Sequence, residues 1–274
     1  MKTLIFKILP LFVLIIWAGS GHAQIVTTPG PITSCPGEIA VPVNVTNCNG
    51  IGAISLALNF DNTMLTYLGY TELNPQLTIN GGLLIISATG NKVIISWANT
   101  IAANVGNGIL VKLRFTAIPG TTNLVWDTQT PGNCEYANTS GVILAATFTN
   151  GTATINQPPV ISSQPVNTTA LVGQNTSFSV SASATELVYL WQKSPDGLTN
   201  WTDLTNNAPY SGVTTATLGI ANALTSYSGL RYRCKLTGTC TPVLYSDVVT
   251  LTVINPITTT LPTATFCQIG RAHV

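Results

Sequence analysis

Alternation of apolar and polar residues constrains this chain more than any other feature of its sequence. Between positions 53 and 60, isoleucine, leucine and phenylalanine occupy the even positions, whereas alanine, serine and asparagine occupy the odd ones. The same two-residue period recurs at 39–45 and at 109–115. Because successive side chains of a strand point to opposite faces of a sheet, each segment predicts a β-strand with one buried face.

The composition extends this prediction to the whole chain. Charged residues make up only 7% of the 274 residues, and 23 glycines and 16 prolines punctuate the sequence. Such a mixture favours short strands joined by tight turns over helices. Prolines at 158 and 159 remove two backbone donors and therefore mark a boundary between domains. The sequence predicts an all-β protein with two consecutive antiparallel β-sandwiches.

Both ends of the chain are excluded from this fold. Lysines precede an apolar run at 8–17 and small residues follow it, which predicts a secretory signal peptide at 1–23 and an exported, soluble mature chain. This run is too short to span a membrane comfortably, and no other long apolar segment follows it. Residues 269–274 resemble a translated sequencing adapter, so that 255–268 is interpreted as a linker and the start of a truncated third domain.

Removing both ends excludes several kinds of chemistry. His22 and His273 are the only histidines, and both lie in the excluded segments. Histidine-dependent nucleophiles and histidine-ligated metals are therefore not expected, and we predict no enzyme, no cofactor and no metal site. Seven of the ten basic residues remain against nine acidic ones, a net charge of about −2, so nucleic acid is not an expected partner.

Several ordered segments of residues 24–157 resemble the cohesin domain, the β-sandwich receptor that holds dockerin-bearing proteins on secreted scaffolds. The resemblance rests on the segments 39–43, 52–61, 65–69, 93–98, 110–117, 132–141 and 148–151. It implies a jelly-roll sandwich that docks a partner protein. In that family the calcium ions sit in the dockerin loops, and no segment of this chain matches a calcium-binding loop of the EF-hand type.

The resemblance also implies a binding face. The strand that ends at Phe60 and Asp61 presents polar residues to the dockerin helix in well-studied cohesins, and the matching positions here are Ala53 and Ser55, which lack the same acceptors. If two strands share a sheet, a flat surface is expected from their outward residues, which are Ala53, Ser55, Ala57, Asn59, Ile94, Ser96 and Ala98. An ordinary solvated sheet face is an equally weighted interpretation. Asp61 is expected to cap a turn.

Cohesins share their sandwich with a class of carbohydrate-binding modules, which gives an alternative function. Sugar binding on a sheet requires exposed aromatic rings. The candidates are Tyr67, Tyr70, Trp97, Trp126 and Tyr136. Trp97 shares the parity of apolar neighbours in its strand, so a core role is favoured for these aromatics.

Residues 158–254 resemble an immunoglobulin-like domain of the Greek-key type, on the segments 187–192 and 226–234. The resemblance implies that Trp191 fills the core and that Tyr232 forms a tyrosine corner. The usual inter-sheet disulfide cannot form, because position 178 is Phe and position 180 is Val. The six-residue spacing predicts a disulfide between Cys234 and Cys240, whereas the pairing among Cys35, Cys48 and Cys134 stays open.

These features predict a non-catalytic, secreted or cell-surface scaffolding protein in a polysaccharide-degrading or adhesive assembly. Its first domain is expected to dock a dockerin-like module. Direct binding of a polysaccharide by the same domain and a structural adhesin stalk are the two alternatives. Fold-level resemblance does not choose among them, because this architecture serves many functions.

Overall fold

The computed structural model describes residues 23–256, which form two compact units. The first comprises residues up to 33 and 37–154, and the second comprises 34–36 and the residues from 155 onward. All of the predicted signal peptide except Ala23 lies outside the described residues, as do most of the predicted third domain and the adapter-like tail. Strands dominate both units, with three short 3-10 helices at Pro75–Leu77, Ile79–Gly81 and Thr225–Tyr227, which confirms the all-β prediction.

Twelve strands belong to the first part of the chain. They are β1 (Ile25–Pro29), β2 (Ile32–Ser34), β3 (Gly37–Cys48), β4 (Ile51–Asn59), β5 (Leu65–Thr71), β6 (Leu83–Thr89), β7 (Lys92–Ala103), β8 (Gly106–Ala117), β9 (Gly120–Trp126), β10 (Glu135–Ala137), β11 (Ala146–Phe148) and β12 (Gly151–Ile155). One sheet has the order β11-β1-β3-β8-β5. The other has the order β2-β12-β9-β4-β7-β6, with β10 paired to β4.

The alternating residues of the sequence form the core between these two sheets. In β3, Val41 and Val43 are completely buried, and Leu56 and Leu58 are buried in the same way in β4. Phe60, which follows β4, packs edge-on against Phe115 of β8 with ring centroids 5.2 Å apart. The sandwich is not wholly antiparallel, since β1 pairs with β11 in parallel.

The second unit contains eleven strands. They are β13 (Val160–Ser163), β14 (Thr168–Leu171), β15 (Thr176–Ser179), β16 (Ser181–Ser183), β17 (Val188–Ser194), β18 (Thr202–Asp203), β19 (Tyr210–Ser211), β20 (Thr217–Ile220), β21 (Arg231–Thr237), β22 (Leu244–Tyr245) and β23 (Val249–Ile254). The largest sheet has the order β14-β23-β21-β17-β18 with β22 beside β21, and a smaller one has the order β15-β20-β19. Here β14 and β23 run parallel.

The aromatic residues expected in the core of this unit are buried there. Trp191 is fully buried opposite Cys234 in the β17–β21 pair, and its indole nitrogen donates to the carbonyl of Thr215. Tyr232 is also fully buried, but its hydroxyl lies 3.4 Å from that of Tyr210. No backbone acceptor for Tyr232 occurs among the residues described, so the expected tyrosine corner is wrong in this detail.

The predicted disulfide between Cys234 and Cys240 is also wrong. Cys240 pairs instead with Cys35, 205 positions away in the sequence. Cys234 is a free thiol inside β21, where its side chain points into the core opposite Trp191, whereas Cys240 lies three residues beyond the end of that strand. Cys48 and Cys134 are likewise free and buried, which answers the pairing left open by the sequence.

Candidate functional site

The seven residues proposed for the binding face come from two strands that are direct neighbours. β7 lies between β4 and β6 in the sheet, and all three run antiparallel to their neighbours. Two rows of side chains cross the three strands, with Ala53, Ala98 and Leu83 in the first row and Ser55, Ser96 and Ile85 in the second. The condition set by the sequence, that both strands share a sheet, is therefore met.

Exposure differs along this face. Ala98 is exposed, and Ala53, Ser55, Asn59, Ile94 and Ser96 are partly exposed. Ala57, in contrast, is completely buried, so its prediction as a surface residue is wrong. Segment 127–134 lies against this part of the face, because the Ser55 hydroxyl donates to the Gly132 carbonyl and the Asp127 amide donates to the Ala57 carbonyl at 2.8 Å.

Asp127 holds segment 127–134 in place. Its carboxylate accepts from Lys92 Nζ at 2.6 Å and from Asn133 Nδ2 at 2.8 Å, and Thr130 donates through both its amide and its hydroxyl. The hydrogen bond from Lys92, with those from Thr130 and Asn133, holds the pKa of Asp127 well below its ordinary value. Asp127 therefore fixes the segment that lies at one end of the face.

Asp61 has the capping role expected of it. Its Oδ1 atom accepts from the Thr63 amide at 2.9 Å and from the Thr63 hydroxyl at 2.6 Å, which confirms the prediction of a capped turn after Phe60. These two bonds lower the pKa of Asp61.

The open end of the face is apolar. Leu83 and Ile85 of the edge strand β6 keep 68% and 53% of their surface exposed. With Ala53, Ser96 and Ala98 they line a shallow depression of about 270 Å³. Sequence reasoning missed these two residues, although four consecutive apolar residues at 83–86 were a usable signal, because a strand with one solvated face does not carry such a run.

The alanine and serine side chains of the face, Ala53, Ser55, Ser96 and Ala98, form its floor, and few polar groups on this floor are free to bind a partner. The Ser55 hydroxyl donates to the Gly132 carbonyl at 2.7 Å and is thus used within the unit. Glu135 lies opposite Ser55 on β10, and its carboxylate accepts from the Gly132 amide at 3.3 Å. The Ser96 hydroxyl makes no hydrogen bond to any residue that the structure describes. The floor can therefore receive a partner mainly through shape and apolar contact.

The aromatic residues of the first unit do not form a sugar-binding strip. Trp97, Trp126 and Tyr136 are all at least 97% buried, which confirms the core role favoured for them. Trp97 also donates its indole N–H to the Leu77 carbonyl at 2.8 Å. Tyr67 packs edge-on against Phe115, and Tyr70 is the one member of the group that is largely exposed.

Two further properties concern residues 23–256 alone. Within them, no group of three or more histidine, cysteine, aspartate or glutamate side chains is arranged to hold a metal ion. The same stretch contains no helix with the length and hydrophobicity needed to cross a membrane.

Comparison with known proteins places the first unit in a family. Residues 27–155 match the family model described as the cohesin domain. The chain is similar to a non-cellulosomal cohesin from the archaeon Archaeoglobus fulgidus, at 23% identity over 48% of this chain and 91% of that one, with a TM-score of 0.41. It is also similar to a protein of Clostridium acetobutylicum, at 20% identity over 48% and 90%, with a TM-score of 0.41.

A third similar structure is a type I cohesin–dockerin complex from Clostridium thermocellum, at 13% identity over 47% of this chain and 92% of that one, with a TM-score of 0.41. No curated protein matches the chain. The family model covers both sheets of the first unit, including the strands that carry the candidate face. Residues 27–155 are therefore a cohesin domain.

Proposed function

We propose that this protein is an exported, non-catalytic scaffold whose cohesin domain docks a dockerin-type helix on the exposed face of β4, β7 and β6. One observation carries the proposal: a flat floor of alanine and serine side chains lies beside two exposed aliphatic side chains on the same sheet face. Small side chains let the backbone of a helix approach the sheet, and aliphatic side chains give it apolar surface to bury.

The energetics favour an apolar docking mode. Burying the exposed surface of Leu83 and Ile85 contributes about 1 to 2 kcal/mol each, because a whole side chain of this kind is worth about 1.5 to 3 kcal/mol. Ala53 and Ser55 stand where well-studied cohesins present asparagine and aspartate, and the Ser55 hydroxyl is already bonded to Gly132. We therefore expect the partner helix to present aliphatic side chains to this floor.

Export is supported by the signal-like N-terminus and by the Cys35–Cys240 disulfide, since disulfides persist in oxidising compartments. Among the alternatives, direct carbohydrate binding by the first unit lacks a platform, because its tryptophans are buried. A structural stalk without a specific ligand is the remaining alternative, and the experiment below distinguishes it from docking.

The test is capture of dockerin-bearing proteins from the culture medium of the source community by the immobilised full chain, with and without calcium. Captured proteins are identified by mass spectrometry and scored for paired calcium-binding loops. The decisive variant is Ala98→Arg, which places a long charged side chain on the exposed floor, and we expect it to abolish capture.

Thr116→Arg is the matched control, because Thr116 is an exposed strand residue of the other sheet. The proposal predicts that this variant captures as the parent does. Capture that is equal for both variants would reject the face, and capture of no dockerin-bearing protein would favour the structural stalk.

A further inference from the structure

The basic residues of the first unit and those of the second unit differ in whether they form ion pairs. In the first unit, Lys92, Lys112 and Arg114 each form an ion pair within 2.7 Å. The second unit has as many acidic as basic residues in its described part, but none of its basic residues forms an ion pair with a described residue. All four lie on two adjacent strands, at position 193 in β17 and at 231, 233 and 235 in β21.

Arg233 is held between two aromatic rings. Its guanidinium carbon lies 4.0 Å from the centroid of the Trp201 ring and 4.1 Å from that of Tyr245. Because both rings lie at stacking distance from one planar group, we infer that they cover its opposite faces and leave its edges open. Tyr245 keeps 45% of its surface exposed. Such stacking orients a cation at the protein surface.

One edge of the guanidinium is fixed as well. Arg233 Nε donates to Gln192 Oε1 at 2.7 Å, and Gln192 Nε2 donates to Asp203 Oδ1 at 2.6 Å. The carboxylate of Asp203 is thus bonded to an amide and not to the cation. The two terminal nitrogens of Arg233 have no acceptor among the described residues, and neither of them is buried. These nitrogens can donate in parallel to one carboxylate.

Arg233 belongs to a row of cations. Arg231, Arg233 and Lys235 alternate with the buried Tyr232 and Cys234, so the three basic side chains share the outer face of the sheet. Alternate residues of a strand lie about 7 Å apart, which spaces the three charges regularly. Across the strand pair, Ser194, Gln192 and Leu190 stand opposite them and add no negative charge.

We propose that this face of the second unit, centred on Trp201, Arg233 and Tyr245, binds a carboxylated polysaccharide. The free edge of Arg233 takes the carboxylate, the exposed part of the Tyr245 ring stacks on the apolar face of a pyranose, and Arg231 and Lys235 attract further carboxylates along the polymer. An acidic peptide offers carboxylates but no rigid ring at a fixed distance from each of them. The combination of flat aromatic surface and regularly spaced cations therefore favours the polysaccharide.

The experiment measures binding of the full chain to polygalacturonate by isothermal titration calorimetry at low and at moderate salt concentration. Highly methyl-esterified pectin serves as the uncharged comparison, and polyglutamate as the acidic peptide. We expect binding to polygalacturonate that weakens as salt rises. Binding to either comparison polymer should be at least tenfold weaker.

Three substitutions at the site and one control in the first unit locate it. Arg233→Gln and Arg233→Lys are each expected to weaken binding at least tenfold, the second because an ammonium group keeps the charge but loses the stacked, two-pronged geometry. Lys235 points outward, so Lys235→Gln leaves the core intact, and this variant should weaken binding severalfold. Lys112→Gln in the first unit removes the same charge and should change nothing. Circular dichroism confirms that each variant is folded.

Three results would overturn the proposal. The first is the absence of binding to polygalacturonate at low salt. The second is equal binding to polyglutamate or to the esterified polymer, which would show that charge alone or the sugar ring alone suffices. The third is an unchanged affinity for Arg233→Lys, which would show that the stacked guanidinium does not form the site.

Discussion

A buried hydrogen bond between the two sheets of the cohesin domain allows a quantitative test of how β10 is held beside the candidate face. The Tyr136 hydroxyl lies 2.8 Å from the Thr27 hydroxyl, and both residues are completely buried. Tyr136 belongs to β10, next to β4, whereas Thr27 belongs to β1 in the opposite sheet. Burial also raises the pKa of Tyr136, so its hydroxyl stays protonated.

Removing both partners of this pair should cost less than the sum of the two single removals. Tyr136→Phe leaves the Thr27 hydroxyl buried without a partner, and Thr27→Val does the same to the Tyr136 hydroxyl. Each change should lower the free energy of unfolding by about 2 kcal/mol, because an unsatisfied buried hydroxyl costs about 1 to 3 kcal/mol. In the double variant neither hydroxyl remains, so its loss should be well below the 4 kcal/mol expected for independent changes.

Native-state hydrogen exchange followed by mass spectrometry measures these differences in the full chain. A loss of about 2 kcal/mol corresponds to roughly 30-fold faster exchange of the most protected amides. Peptides from β1, β4 and β10 should report the change, and peptides from β17 and β21 in the second unit serve as the internal control. If the double variant loses the sum of the two single losses, the two hydroxyls are not coupled and the reasoning fails.

Three further predictions concern the thiols and one loop. Peptide mapping without reductant should recover a linked pair containing Cys35 and Cys240, and a pair joining Cys240 to another cysteine would contradict the structure. Burial raises the pKa of the Cys48 thiol to about 12, so this residue should resist alkylation at pH 8 in the folded chain and react once the chain is denatured. Hydrogen bonds from the Leu198 amide and the Ser194 hydroxyl lower the pKa of Asp196 to about 2 from its usual 3.8. The contribution of this carboxylate to loop stability is therefore present above pH 3.8 and lost as the pH falls through 2. The chemical shift of the Leu198 amide should follow this titration, and it should no longer do so in Asp196→Asn.

Strand positions and their inward faces were predictable from the sequence. Val41, Val43, Leu56 and Leu58 all lie on the apolar parity of their segments, and all are buried. The two-residue period is a local property, because the geometry of a strand places each side chain opposite its neighbours whatever the strand pairs with. For the same reason, Trp97 could be assigned to the core from its parity alone.

The composition of the candidate face was only partly predictable. Ala53, Ser96 and Ala98 were found from parity, but Ala57 is buried beside a segment some 70 residues later in the chain, and Leu83 and Ile85 complete the face only because β6 pairs with β7. Exposure depends on which distant segment packs on a residue. No local period carries that information.

The sequence alone therefore determined the all-β class, the inward face of each strand and the resemblance of the first half to the cohesin family, since these depend on local periodicity and on ordered motifs. The tertiary structure decided which strands are neighbours, which end of the candidate face stays open and which cysteines meet. It also decided that Arg233 is stacked between two aromatic rings. These features depend on contacts between residues far apart in the chain, such as Cys35 and Cys240, whose pairing is settled by where the folded backbone brings them together.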